Sequence, residues 1–295
     1  MKDTTTENYR KRFIKVIEYI YGHLDGSLDV NTLADVACMS PYHFHRIYRQ
    51  MSGETINASI RRLRLQGAAA ELIRSSDNVE SIAKQSGYGS LEAFSRAFRK
   101  EFGESPRDYR VNRVTRAEQA PIETVFVGML SHSNMQRNTQ METFTVEVHD
   151  FDGQALVGVE HQGDYMGIGE SFEKLFMFAG SQGMVNEKTR SFGLYYDDPK
   201  TVPVNDLRAI AGLTGSLMKP AEGFQNTEIP KGKCASVLFK GSYAELEKPY
   251  DYLFGQWLPE SGYEPADFPA FEEYLNDPKT TPPNELLTRI HCLLA

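Results

Sequence analysis

From Ser40 the apolar positions fall at helical spacing: Phe44, Ile47, Tyr48 and Met51 make one stripe. Ser40-Pro41 supplies a hydroxyl cap and a proline at the first helical position, and Gly53 supplies the stop. A second stripe, Tyr42, His45, Arg46 and Arg49, sits at i, i+3, i+4 and i+7 on a polar face, with His43 at the border. His43 and His45 lie about 200° apart around such a helix, so they cannot share a metal ion. The same layout returns fifty residues on, where "SPYHFHRIYRQMSGE" aligns with "SLEAFSRAFRKEFGE". There Phe94, Phe98 and Phe102 are the buried set, and Glu92, Ser95, Arg96 and Arg99 the exposed one. Each copy follows a short helical pattern, "DVNTLADVACM" or "NVESIAKQSGY", with Asp29 and Asn78 as N-caps. A short helix, a tight turn and a second helix with a polar outer face make a helix-turn-helix unit. Between the copies "INASIRRLRLQGAAAELIRSS" (56–76) predicts one long connecting helix. For its Arg61, Arg62 and Arg64, a solvated face and contact with phosphate both stand as readings.

After Met141 the period changes from helical to alternating. "TFTVEVHDF" and "QALVGVEHQ" predict two strands joined around Asp152-Gly153. A second internal repeat follows: "HQGDYMGIGESFEKLFMFAGSQG" resembles "FKGSYAELEKPYDYLFGQWLPESG". Gly163/Gly241, Tyr165/Tyr243, Phe172/Tyr250, Phe192/Phe271 and Tyr195/Tyr274 are paired positions. Each copy reads strand, Gly-x-Tyr turn, helix, glycine, strand. The predicted fold is therefore two domains: an all-α double helix-turn-helix over 1–113, a linker over 114–141, and an α+β domain of two pseudo-symmetric strand-helix-strand modules over 142–295. Within the linker, "ETVFVGML" reads as a short strand and 131–140 as a polar loop. A cleft between the modules is the expected ligand site. If 270–275 is a strand, Glu272 and Tyr274 share one face, and Phe271, Glu273 and Leu275 the other. The repeat partner of Glu272 is Gly193, so a carboxylate stands on one side of the cleft only. A carboxylate among rings suits a lipophilic cation; pairing with a nearby Lys, or exposure to water, is the other reading.

Composition changes this picture in one respect. The chain is 40% hydrophobic and 24% charged, ordinary for a globular protein, with a net charge of −8. Residues 1–113 hold 18 Lys+Arg against 14 Asp+Glu, and the remainder 14 against 26. A basic first part can approach a polyanion that the acidic second part would repel, which assigns the halves different tasks. No apolar run reaches the ~18–20 residues of a membrane span, and "MKDTTTENYRKRF" has no apolar leader, so a cytoplasmic protein is expected. Cys38, Cys234 and Cys292 form neither a disulfide framework nor a metal-ligand spacing.

Residues 9–112 resemble the DNA-binding domain of the AraC/XylS transcription regulators. The residues that carry the resemblance are "LADVACMSPYHFHRIYRQMSGET" and "VESIAKQSGYGSLEAFSRAFRKEFGESPRDYR", with Gly87-Tyr88, Phe102-Gly103, Pro106 and Tyr109-Arg110. The resemblance implies that both recognition helices enter successive major-groove segments, ~34 Å apart, with Tyr42, His45, Arg46, Glu92, Ser95 and Arg96 toward bases. Arg49 and Arg99 complete the two polar stripes. Glu92 departs from a simple basic surface: it can accept from cytosine or repel phosphate. Residues 142–295 resemble the GyrI-like effector-binding domain, through "EHQGDYMGIGESFEKL", "LPESGYEP" and "FEEYLNDP". This implies a cleft for small, often lipophilic or cationic molecules, lined by Tyr165, Tyr195, Tyr243, Trp257, Glu272 and Tyr274. The order of the domains resembles that of the Rob-type regulators. The expected partners are double-stranded promoter DNA, a small-molecule effector and RNA polymerase, with no cofactor and no membrane.

Two other functions stand beside effector-controlled regulation. Some GyrI-like domains are thought to hydrolyse reactive molecules, and Glu272 among tyrosines could serve as a general base. Against an enzyme, no nucleophile–base–acid set is visible by spacing; Cys234, His161 and His291 have no assigned partners. An acidic interaction module of the gyrase-inhibitor kind is the third.

Overall fold

The computed structural model describes residues 2–113, 142–219 and 221–295. The described residues fall into two compact units. One takes those within Asn8–Met39 and Met51–Gln136; the other takes those within Met1–Glu7, Ser40–Gln50 and Arg137–Ala295. Two segments that precede the linker thus group with the sheet, Met1–Glu7 and Ser40–Gln50, the second carrying the first polar stripe. The strand and loop expected within 114–141 lie outside the described residues.

Before residue 114 the described chain is helical: α1 (Lys2–Gly22), α2 (Val30–Val36), α3 (Pro41–Ser52), α4 (Ile56–Arg74), α5 (Val79–Gln85), α6 (Leu91–Phe102) and α7 (Pro106–Arg113). Asp29 and Asn78 cap as the sequence expects, whereas the Ser40 hydroxyl, expected to cap α3, donates to Asp267 at 2.8 Å. Asp29 accepts from the Thr32 amide, Asn78 from Ser81, and Ser90 from Ala93. Phe94 and Phe98 on α6 are fully buried in a core shared with Leu65, Leu72, Ile82 and Tyr109, each ring contributing roughly 2–3 kcal/mol. Arg110 ties α7 to this core by donating to Leu72 O at 2.9 Å and Asp77 O at 2.6 Å.

The turn between α5 and α6 needs a glycine for two reasons. Gly87 has φ 73°, and a Cβ there would lie 2.7 Å from the Arg64 guanidinium carbon. Arg64 itself donates to Leu24 O at 3.0 Å and Gly26 O at 2.7 Å. Neither reading offered for the connector arginines fits it, since it is a brace inside the helical unit. Arg62 pairs with Glu54 at 2.8 Å, and Arg61 is exposed.

The second unit is built on one antiparallel eight-stranded sheet, in the order β1-β6-β8-β7-β3-β4-β2-β5. Its strands are β1 (Val146–Phe151), β2 (Gln154–Gln162), β3 (Ser191–Tyr195), β4 (Arg208–Thr214), β5 (Gln225–Ile229), β6 (Gly232–Lys240), β7 (Ala270–Tyr274) and β8 (Leu287–Leu294). The repeat is real in space. Helix α8 (Ile168–Ser181) lies between β2 and β3 in the chain. Helix α9 (Glu247–Tyr252), a π-turn (Leu253–Trp257) and α10 (Leu258–Ser261) lie between β6 and β7. The modules meet where β3 pairs with β7.

β1 and β2 form and are joined at Asp152-Gly153 as the sequence predicts, but they do not pair with each other. β1 pairs with β6 and β2 with β5, so β1–β2 and β5–β6 are two long bent strands running antiparallel. Each bend carries its strand from one edge of the sheet to the other side. The result is strong curl: the rings of Phe151 on β1 and Phe271 on β7 sit 5.3 Å apart although two strands, β6 and β8, separate them. The concave face encloses Leu156, Phe192, Leu194, Cys234, Phe271 and Leu293. Among the described residues no helix is long and apolar enough to cross a membrane.

Candidate functional site

Strand alternation puts Glu272 and Tyr274 on one face of β7 and Phe271 and Glu273 on the other, as the sequence predicts. The Glu272 face holds a chain of phenols. Glu272 accepts from the Tyr250 hydroxyl at 3.1 Å and from Tyr274 at 2.9 Å, and Tyr274 is linked to Tyr195 at 2.5 Å. Tyr243 stands edge-on to Tyr274 at 5.5 Å, and Tyr165 edge-on to Tyr195 at 4.8 Å. Tyr165 is fixed by donating to Arg208 O at 2.9 Å. Gly193 faces Glu272 directly across the β3–β7 pair. A Cβ at 193 would meet the Tyr195 ring at 2.7 Å and both hydroxyls, of Tyr195 and Tyr274, at 2.9 Å. The phenols close over the space that the missing side chain leaves.

Glu272 is only 4% exposed. Burial pushes its carboxyl up to about 7, while hydrogen bonds from Tyr274 and Tyr250 and the charge of Arg46 pull the other way. Tyr195, Tyr250 and Tyr274 are held well above the usual phenol range, by burial first and then by the Glu272 charge. Burial takes Tyr243 and Tyr165 up to about 12. These phenols stay protonated and can act as donors. Neither exposure to water nor a lysine partner describes Glu272.

The cation that does approach comes from α3. Arg46 is 7% exposed; its guanidinium lies over the Tyr250 ring at 4.5 Å and near Phe254 at 5.7 Å. It donates to Asp197 O at 3.1 Å. Around it the rest of the stripe is engaged as well. Arg49 pairs with Asp251 at 3.0 Å and Asp198 at 3.4 Å. Tyr42 meets Tyr196 edge-on at 5.9 Å. The Ser40 hydroxyl donates to Asp267 at 2.8 Å. His43 stacks on Phe254 at 5.2 Å and reaches Phe268 O at 2.9 Å. Burial lowers the His43 imidazole to about 4, so it is neutral and donates from Nε2. His45 is lowered too, again by burial.

The first stripe is thus engaged within this unit: Arg46 is buried, and Tyr42, His45 and Arg49 are half-buried. The second stripe differs. Glu92, Arg96 and Arg99 on α6 are exposed, and Ser95 is half-buried. Arg96 and Arg99 have no ion pair among the described residues.

Sequence comparison agrees with this two-part geometry. A family model described as a GyrI-like small molecule binding domain matches residues 144–292, half of the chain, and a helix-turn-helix model matches 33–112. The chain belongs to the AraC-type regulators that carry a GyrI-like domain. The regulatory protein SoxS of Salmonella typhimurium is 37% identical over 32% of this chain and 89% of its own length. A DNA gyrase inhibitor of Erwinia billingiae is 31% identical over 37% of this chain and 70% of its own. A solved structure of EcmrR in its DNA complex aligns over 90% of this chain and 98% of that one, at 16% identity and a TM-score of 0.43. The protein is a DNA-binding regulator with a small-molecule-binding domain.

Of the six residues expected to line the GyrI-like cleft, five come together: Tyr165, Tyr195, Tyr243, Glu272 and Tyr274. Trp257 stacks on Tyr263 at 6.2 Å, on the π-turn, and makes none of the hydrogen bonds to Glu272. Sequence reasoning passed over Tyr250. The signal was present in the repeat, where Tyr250 stands at the position of Phe172: a ring that gains a hydroxyl opposite a buried carboxylate.

Proposed function

We propose that the GyrI-like domain senses a lipophilic cation at Glu272, and that this cation and the first recognition helix exclude one another. The observation that carries the proposal is Arg46. A guanidinium from the DNA-reading stripe sits on Tyr250, the ring that hydrogen-bonds Glu272. A free cation with aromatic surface would take the same cation–π face and complete the charge that Arg46 only approaches. α3 would then be released, with Tyr42, His45, Arg46 and Arg49 open to DNA. Such competition gives the effector the unequal affinity for two states that control requires. Promoter DNA, read by α3 and α6 and shared with RNA polymerase, is the output. We read the domain as a sensor and not an enzyme. Both Glu272 oxygens are held by phenols that burial keeps protonated.

Titrating the full chain with tetraphenylphosphonium, followed by Trp257 fluorescence and by DNA affinity, tests this. The expected result is saturable binding that Glu272→Gln weakens at least about tenfold, that Arg46→Ala strengthens, and that raises DNA affinity by the factor by which DNA raises cation affinity. Binding of neutral triphenylphosphine oxide with equal strength, indifferent to Glu272, overturns it. Turnover of the bound molecule that Glu272→Gln abolishes returns the hydrolase reading. A protein captured in place of any small molecule returns the interaction module.

A further inference from the structure

On the concave side of the sheet, away from Glu272, three strands bring together side chains that lie far apart in the chain. His149 on β1 stands directly opposite Cys234 on β6, and His291 on β8 stands opposite Ser236, one step along the same face. One ligand atom from each of His149, Cys234 and His291 falls within 4.8 Å of the others. Cys234 and His291 are buried, and His149 is half-buried, leaving an approach from one side. We infer that His149, Cys234 and His291 form a binding site for a zinc-like transition-metal ion.

Three observations carry this. Cys234 Sγ and His291 Nδ1 are 3.6 Å apart. With metal–sulfur and metal–nitrogen bonds of about 2.3 and 2.0 Å, the S···N edge of a tetrahedral site is about 3.5 Å, close to this separation. The donor set, one thiolate and two imidazoles, is that of borderline-soft ions and not of magnesium or calcium. The third observation lies behind the histidine. His291 Nε2 and Glu273 Oε2 are both buried without a hydrogen-bond partner, yet they face each other at 3.6 Å. The other Glu273 oxygen is held by Arg190 at 2.7 Å. Closing the gap puts the His291 proton on Nε2 against the carboxylate and turns the Nδ1 lone pair toward Cys234. That is the carboxylate–histidine support typical of metal ligands. Phe271 lies parallel to the His291 ring at 4.6 Å and holds its plane.

Binding replaces the Cys234 thiol proton by the metal and releases it to water. The ion would pin β1, an edge strand whose single partner is β6, to the centre of the domain.

The test uses the full chain, reduced and stripped of metal, titrated with Co²⁺ as the spectroscopic substitute for Zn²⁺. One equivalent of cobalt is expected to give a thiolate-to-metal charge-transfer band with tetrahedral ligand-field bands, displaced by Zn²⁺. His149→Ala removes a ligand without opening the core and is expected to abolish the band at stoichiometric cobalt, as is Cys234→Ser. Cys38→Ser, at an exposed thiol, leaves it unchanged. Glu273→Gln weakens affinity by roughly 10–100-fold while the band shape persists. A wild-type chain without the band, or a band that survives both His149→Ala and Cys234→Ser, overturns the site and leaves a thiol–imidazole hydrogen bond in its place.

Discussion

Glu272→Gln isolates the energetic consequence of burying a carboxylate for use. Burial pushes the wild-type carboxyl up to about 7 in the folded state, against 4.5 for the ordinary group. At about 1.36 kcal/mol per unit, the charged form is disfavoured by roughly 3 kcal/mol relative to the unfolded chain. The folded state therefore binds this proton more tightly. Its stabilising contribution is complete below pH ~4.5 and is lost as pH rises to ~7. Glutamine carries no such penalty. It must instead place an amide where Tyr250 and Tyr274 both donate to Glu272, which costs about 1 kcal/mol in hydrogen bonding. The variant is expected to be slightly less stable than wild type at pH 5 and about 2 kcal/mol more stable at pH 8. Urea unfolding followed by Trp257 fluorescence reads this, because the single tryptophan lies in the same unit as Glu272. The neutral buried histidines His43 and His45 impose the opposite slope, since they lose stability as pH falls. They are common to both proteins, so the wild-type-minus-variant difference belongs to residue 272. Parallel pH profiles for the two proteins would refute the burial argument, as would a difference that grows toward low pH.

The empty side of the Glu272 pair gives a second prediction. Gly193→Ala drives a methyl into the Tyr195 and Tyr274 hydroxyls and is expected to destabilise the sheet unit by roughly 1–3 kcal/mol, measured by the same unfolding curves, and to weaken cation binding by displacing the phenols from Glu272. The arginines of the helical unit separate by role. Arg96→Ala should cost about 1–3 kcal/mol in specific DNA affinity with stability within about 0.5 kcal/mol. Arg64→Ala should cost roughly 2 kcal/mol of stability by uncoupling two carbonyls and leaving Gly87 uncovered; paired gel-shift and thermal-melt measurements distinguish them.

Local signals read correctly wherever the cause is local. Asp29 and Asn78 cap the helices the sequence assigns them, because an N-cap depends on a side chain and an amide three residues on. Glu272 and Tyr274 share a face because strand alternation does not depend on partners. Asp152-Gly153 joins β1 and β2 as predicted, but a local bend does not say which strands will pair; here it continues one strand across the sheet. Arg64 read as surface charge because its acceptors, Leu24 O and Gly26 O, are forty residues back and are carbonyls that any residue carries. His149, Cys234 and His291 have no recognisable spacing, since β1, β6 and β8 become neighbours only through the long-range strand pairing of the sheet.

The deepest gap concerns the two recognition helices. Repeat logic makes α3 and α6 equivalent, and their polar stripes match at Arg46/Arg96 and Arg49/Arg99. The structure breaks that equivalence: α6 presents its arginines to solvent, while Arg46 and Arg49 are engaged by Tyr250, Asp251, Asp198 and Asp197. The asymmetry follows from chemistry that the sequence separates by some two hundred residues. A surface suited to phosphate and guanine is rich in guanidinium groups, and the acidic second half offers rings and carboxylates that bind the same groups. If the domain holds a lipophilic cation, as proposed above, its affinity for an arginine of the first helix follows directly from its own composition. On that proposal, control of DNA binding requires no separate relay through the fold, only that the effector be the better cation.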